Sequence, residues 1–118
     1  MKVFVYWNLH KSTWSIRAME GPQKGRVVGH SPQVFLAYAA PKVSEAGRQR
    51  VVREGRKNVH AGITGALVSM SRAPRPTGAI EVTYNPYKYT GFVDKVTESL
   101  WSGSDLVAMD NRRVYSYE

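Results

Sequence analysis

The sequence predicts an α+β domain: a curved, mostly antiparallel sheet of about six to eight short strands, carrying one main basic helix at about residues 44–57. Three observations point there. Several short runs rich in β-branched and aromatic residues alternate with period two. Gly- and Pro-bearing turns separate these runs at short intervals. One stretch alone, Ser44 to Lys57, combines a capping residue with helical spacing. The 118 residues suffice for a single domain, 1–118, and no repeat, low-complexity block or linker divides them.

The elements follow in order. KVFVYWN, residues 2–8, sets Val3, Val5 and Trp7 against Phe4 and Tyr6, and reads as a strand. Residues 14–19 form its hairpin partner across the polar turn NLHKST, with His10 and Lys11 at the tip. EGPQKG is a second turn, and residues 26–29 a short strand broken by His30-Ser31-Pro32. Residues 33–39 alternate again, and Pro41 is expected to end this region. Ser44 then caps the helix, Glu45 suits its dipole, and Asn58 stops it. Gly47, Val51, Val52 and Gly55 make a narrow stripe for packing on the sheet. Val59–Met70 is the clearest strand signal, and residues 71–78 a basic, Pro-rich loop. A strand at 79–85, an irregular aromatic segment at 87–93, a helical turn within 94–100 and a terminal hairpin around Asp110-Asn111 complete the chain.

Hydrophobic residues at 42% mark a globular chain, and the net charge of +8 directs attention to polyanions: nucleic acid, nucleotides or an anionic surface. No apolar run approaches 18 residues, so no membrane partner is expected. The N-terminal run lacks the features of a signal peptide, which makes the cytosol the default compartment. With no Cys, and with His10, His30 and His60 far apart, no metal site is expected. GITG at 62–65 lacks the Lys-Ser/Thr of a phosphate loop, and the scattered acids do not suit a two-metal nuclease. No cofactor is implied.

The helix carries Arg48, Arg50, Arg53, Arg56 and Lys57 against only Glu45 and Glu54. Guanidinium forks match phosphate oxygens, so these cations are candidate phosphate contacts, joined by Asn58, His60, Tyr87, Lys88, His10 and Lys11. Rings interleave with the charge: Tyr84, Tyr87, Tyr89 and Phe92 surround Lys88, and Tyr6, Trp7 and Trp14 lie in the first hairpin. Such rings stack single-stranded bases. The reading placed first is a non-enzymatic binder of nucleic acid, RNA ahead of DNA. The alternatives are sequestration of a phosphorylated nucleotide signal, metal-independent RNA cleavage with His60 as base assisted by Lys57 and Lys88, and inhibition of a host enzyme through protein–protein contact. Catalysis ranks below binding, and the oligomeric state has no signature in the sequence.

The segments VYWNLHKSTWSIRAMEGPQKGRV, SEAGRQRVVREGRKNVHAG and VTYNPYKYTGFV together resemble a family of small, uncharacterised proteins encoded by tailed bacteriophages. The resemblance implies a phage accessory protein acting in the bacterial host cytoplasm, in host takeover or counter-defence. VTYNPYKYTGFV is also weakly similar to the last strands of barnase-like ribonucleases, but the chain departs from them in lacking their leading helices and a histidine in that segment.

Overall fold

The computed structural model describes residues 1–55, 59–68 and 79–117. Its strands are β1 (Lys2–Asn8), β2 (Thr13–Ala18), β3 (Val27–Ser31), β4 (Gln33–Val43), β5 (Ala61–Leu67), β6 (Ile80–Thr83), β7 (Val93–Asp94), β8 (Ser104–Asp110) and β9 (Arg113–Tyr117). One helix, α1 (Glu45–Glu54), joins β4 to β5. All nine strands form one sheet in the order β3-β2-β1-β5-β4-β8-β9-β6-β7, and every pairing is antiparallel.

This corrects the α+β expectation: the described fold is an open antiparallel sheet with a minor helix. The reason lies in the packing, since α1 buries one side chain, Val51, whereas the strands supply nearly all of the core. That core is one cluster drawing Val3, Val5 and Trp14 from one end of the strand order, Val34, Leu36, Ile63, Val107 and Met109 from the middle, and Val82 and Val114 from the other. Strands so far apart in the order share one cluster only if the sheet curls on itself, as right-handed twist favours. Leu36, Val107 and Met109 are fully buried. Truncating Leu36 to Ala there costs about 2–5 kcal/mol.

Helix α1 ends earlier than the sequence suggests. The Ser44 hydroxyl accepts from the Gly47 N–H at 3.2 Å, as expected of the cap. The helix is capped by Gly55, and Asn58 lies outside the described residues: Gly55 takes the left-handed φ of 67°, and its N–H donates to the Val51 carbonyl at 2.8 Å. Glycine adopts that conformation without steric cost.

Pro41 does not end the strand as expected. β4 continues to Val43, with Pro41 opposite Ile63 of β5. Pairing with β8 has already ceased at Ala39–Ser104, so the position lacking an N–H falls where one edge of β4 is open. A bulge between Ala37 and Ala40 precedes it, with Tyr38 exposed at a φ of 52°.

The 94–100 segment holds a single helical turn, the Glu98 N–H donating to the Asp94 carbonyl at 2.8 Å, and then reverses. Asp94 Oδ1 accepts from the Val96 N–H at 2.7 Å, and Val93 bridges back to Leu100. The strand expected over Val59–Met70 is Ala61–Leu67, with Met70 and the 71–78 loop outside the described residues.

Candidate functional site

Curling brings Trp7 of β1 and Trp14 of β2 toward Val82 and Tyr84 at the other end of the strand order. Between them lies an open groove of about 950 Å³. Trp7, Trp14, Tyr84, Tyr87 and Phe92 line it, together with His10, His60 and Arg112. Among the described residues, no Asp or Glu lines it.

The rings are held in place. Trp7 and Trp14 are cross-strand partners in an edge-to-face pair, centroids 5.2 Å apart. On the opposite wall Tyr84 stacks on Phe92 at 5.2 Å, and Phe92 meets Trp101 edge-on at 6.3 Å. The Trp101 indole N–H donates to Ser116 Oγ at 3.0 Å, which fixes the last ring from behind. Arg112 arrives from the tip of the β8–β9 hairpin. There Asn111 and Arg112, between the paired Asp110 and Arg113, both have positive φ, 47° and 73°. That two-residue turn of the primed type sets the Arg112 guanidinium 5.7 Å from the Trp7 ring centroid.

His60 stands at the seam between α1 and the groove. Its carbonyl accepts from the Ser44 N–H at 2.7 Å, and a Cβ added at Gly47 would lie 2.7 Å from the His60 Cβ. Gly47 is therefore the close-approach residue of the helix stripe. The His60 Nε2 and the Tyr84 hydroxyl are 2.7 Å apart and hydrogen-bonded, with the rings edge-on at 5.5 Å. Burial pushes the Tyr84 phenol above its ordinary pKa, partly opposed by Arg48, so it remains protonated at neutral pH.

The other sequence candidates separate into groups. Arg48 is a structural tie: Nη1 donates to the Pro86 carbonyl at 2.9 Å and Nε to Glu45 at 3.1 Å, stapling α1 to the 85–89 turn. Glu45 is held below the usual carboxylate range by hydrogen bonds from Gln49 and Arg48. Arg50 and Arg53 are exposed on the outer face of α1. Arg56, Lys57 and Asn58 lie outside the described residues. Lys88 is exposed and ion-paired with Glu98 at 2.9 Å, and the Tyr89 hydroxyl donates to the same carboxylate. Among the described residues, then, Lys88 does not line the groove with His60, whereas Tyr87 does. His10 and Lys11 occupy the β1–β2 tip, where Asn8 Oδ1 accepts from both backbone N–H groups at 3.0 and 3.1 Å. His10 lines the groove, and Lys11 is exposed outside it.

Sequence reasoning missed Arg112. Asp110-Asn111 marked the turn, but only the curl of the sheet shows that its tip reaches Trp7. Among the described residues no group of three or more His, Asp and Glu side chains is placed to hold a metal ion. None of the described helices is long and apolar enough to cross a membrane.

Comparison with known proteins identifies the relatives. No solved structure matches the chain. The "Gene 82 protein" of Mycobacterium phage L5 is 42% identical over 120 residues, covering 97% of this chain and 94% of the relative. The family model described as "Mycobacterium phage L5 gene 82 protein" matches residues 1–117. The chain therefore belongs to that phage protein family.

Proposed function

We propose that this phage protein binds single-stranded nucleic acid in the groove, RNA ahead of DNA, and does so in the bacterial host during takeover or counter-defence. One observation carries the reading: a groove in which Trp7, Tyr84 and Tyr87 present ring surface, backed by the buried Trp14 and Phe92, with Arg112 and two histidines and, among the described residues, no carboxylate. Bases are sequence-tolerant stacking partners for such rings, each stack contributing about 1–3 kcal/mol. The net charge of +8 draws the phosphate backbone to the surface. A groove lacking acids does not oppose that approach. Arg50 and Arg53 extend the positive field beyond the rim as solvated charges that steer the strand.

The test is tryptophan fluorescence against a single-stranded oligoribonucleotide over a salt series. Quenching that saturates, with a log–log salt slope of about −0.7 per phosphate engaged, is expected. Affinity indifferent to salt and to oligonucleotide length refutes the reading.

His10 and His60 on one groove favour a second reading, metal-independent cleavage of RNA. One imidazole removes the 2′-hydroxyl proton as that oxygen attacks the phosphorus. The other protonates the departing 5′ oxygen, leaving a 2′,3′-cyclic phosphate. Labelled RNA incubated in EDTA with the wild type, His10→Ala and His60→Ala decides it. Cleavage by the wild type that both variants lose supports this reading, and intact RNA in all three removes it.

A further inference from the structure

A smaller cavity, about 310 Å³, meets the groove at Val59 and His60 and is otherwise built from different residues. Strand parity turns Phe4 away from Val3 and Val5, and its cross-strand partner Arg17 turns with it. On the far side of β5, Lys42 pairs with Gly62. Gly62 is where Phe4 lies down: an added Cβ would fall 2.6 Å from Phe4 Cζ and 2.5 Å from the Val5 carbonyl oxygen, so only glycine leaves the ring its place.

The result is one ring flanked by two cations. The Arg17 guanidinium stands 5.9 Å and the Lys42 ammonium 6.0 Å from the Phe4 centroid. A third cation reaches the same cavity from the 21–26 turn. The Gly25 N–H donates to the Ala18 carbonyl at 2.8 Å, and the Ala18 N–H to the Arg26 carbonyl at 2.9 Å, which folds Lys24 back beside Arg17. Gly21 and Gly25, at φ of 77° and 86°, permit that return.

Among the described residues, no carboxylate lines this cavity. Glu20, in the adjoining turn, gives its Oε1 to the Lys2 N–H at 2.8 Å, and Glu45 is occupied by Arg48 and Gln49. The Arg17 Nε is buried with no hydrogen-bond acceptor among the described residues. A cation held partly out of water without a counter-charge is costly, and an anion at its outer edge offsets that cost. Ser44, the N-cap of α1, forms part of another wall, near the positive end of the helix dipole. The volume sits at the lower end of small-molecule sites, beyond a bare phosphate and short of an oligonucleotide.

We propose that this cavity is a separate binding site for a small phosphate-bearing anion, held by Arg17, Lys24 and Lys42, the cations gathered around the buried Phe4 ring. Its ligand is distinct from the strand in the groove: the two cavities meet at Val59 and His60, but Phe4, Arg17, Lys24 and Lys42 line only this one.

Calorimetric titration of the full chain with inorganic phosphate, pyrophosphate and AMP, at low salt, tests it. Saturable one-to-one binding of pyrophosphate or AMP is expected. Arg17→Gln should weaken it by about tenfold or more, and Lys24→Gln and Lys42→Gln by about three- to tenfold each, as removal of one charge-assisted bond implies. Lys24 and Lys42 are exposed, so their variants keep the test alive if Arg17→Gln misfolds. Oligoribonucleotide affinity should stay within about threefold in all three, a smaller effect than losing a charge-assisted contact to the ligand. No saturable binding of any probe, or binding unchanged in Lys24→Gln and Lys42→Gln, overturns the proposal. So does equal loss of oligonucleotide and pyrophosphate, because the cavity would then be part of the nucleic-acid surface.

Discussion

Helix α1 and the groove floor both carry groups that nucleic acids recognise, but they hold them differently. On α1, Arg50 and Arg53 stand in solvent, and Arg48, half-withdrawn from it, is used up by Pro86 and Glu45. In the groove, Trp7, Trp14, Tyr84 and Phe92 are fixed by each other and by a sheet whose core is fully buried. Long solvated cations lose rotamer freedom when they grip a ligand, whereas packed rings have already lost it on folding. The groove should therefore supply most of the affinity, and the helix most of the salt dependence and encounter rate.

The largest expected effect comes from removing a ring. Trp7→Ala should weaken single-stranded oligonucleotide binding by about 1–3 kcal/mol, measured by fluorescence anisotropy because the intrinsic reporter is altered. If Arg50→Gln/Arg53→Gln together cost more than Trp7→Ala, the comparison is reversed.

Gly47→Ala probes the joint between the two regions. The new methyl would fall 2.7 Å from the His60 Cβ, so α1 must lift, at about 1–3 kcal/mol of stability in urea melts. A neutral result means that α1 is not seated on His60. Tyr84→Phe removes the hydroxyl bonded to His60 and should cost about 1 kcal/mol by the same measurement, with base stacking retained.

The smaller effects are electrostatic. Arg50→Gln and Arg53→Gln should each flatten the salt slope by about 0.7 if they meet phosphates, and by nothing if they are bystanders. At the 85–98 turn, hydrogen bonds from Tyr89 and Lys88 hold the Glu98 carboxyl below its usual pKa. A lowered carboxylate pKa stabilises the fold above the unfolded value, and that stabilisation disappears as pH falls through the lowered one. Thermal melts of wild type and Glu98→Gln should thus differ slightly near neutrality and converge in acid, below the ordinary carboxylate range.

Much of the fold was legible because period-two alternation survives wherever one face of a strand is buried. The first hairpin, the 33–39 run and the terminal hairpin all announce themselves this way. Helical spacing and a serine cap likewise revealed α1, but not how little it buries. Its end was missed because two glycines read equally well as packing residues, and only Gly55 takes the left-handed cap. Pro41 misled because a strand can lose one neighbour before the other, a fact of topology that residue type does not carry. The same limit hid Arg112: what it faces depends on strands from opposite ends of the order meeting. The charge cluster on α1 was legible, but not which cations the fold engages. Sequence counts cations, whereas the fold decides that Arg48 is a staple and Lys88 is paired with Glu98.

The most direct measurement is chemical-shift mapping of the full chain with a short single-stranded oligoribonucleotide. The account predicts saturable shifts at the Trp7 and Trp14 indoles and the Tyr84 and Phe92 rings, with weaker, salt-sensitive shifts at Arg50 and Arg53. Shifts confined to the outer face of α1, with the groove rings unmoved, would contradict it.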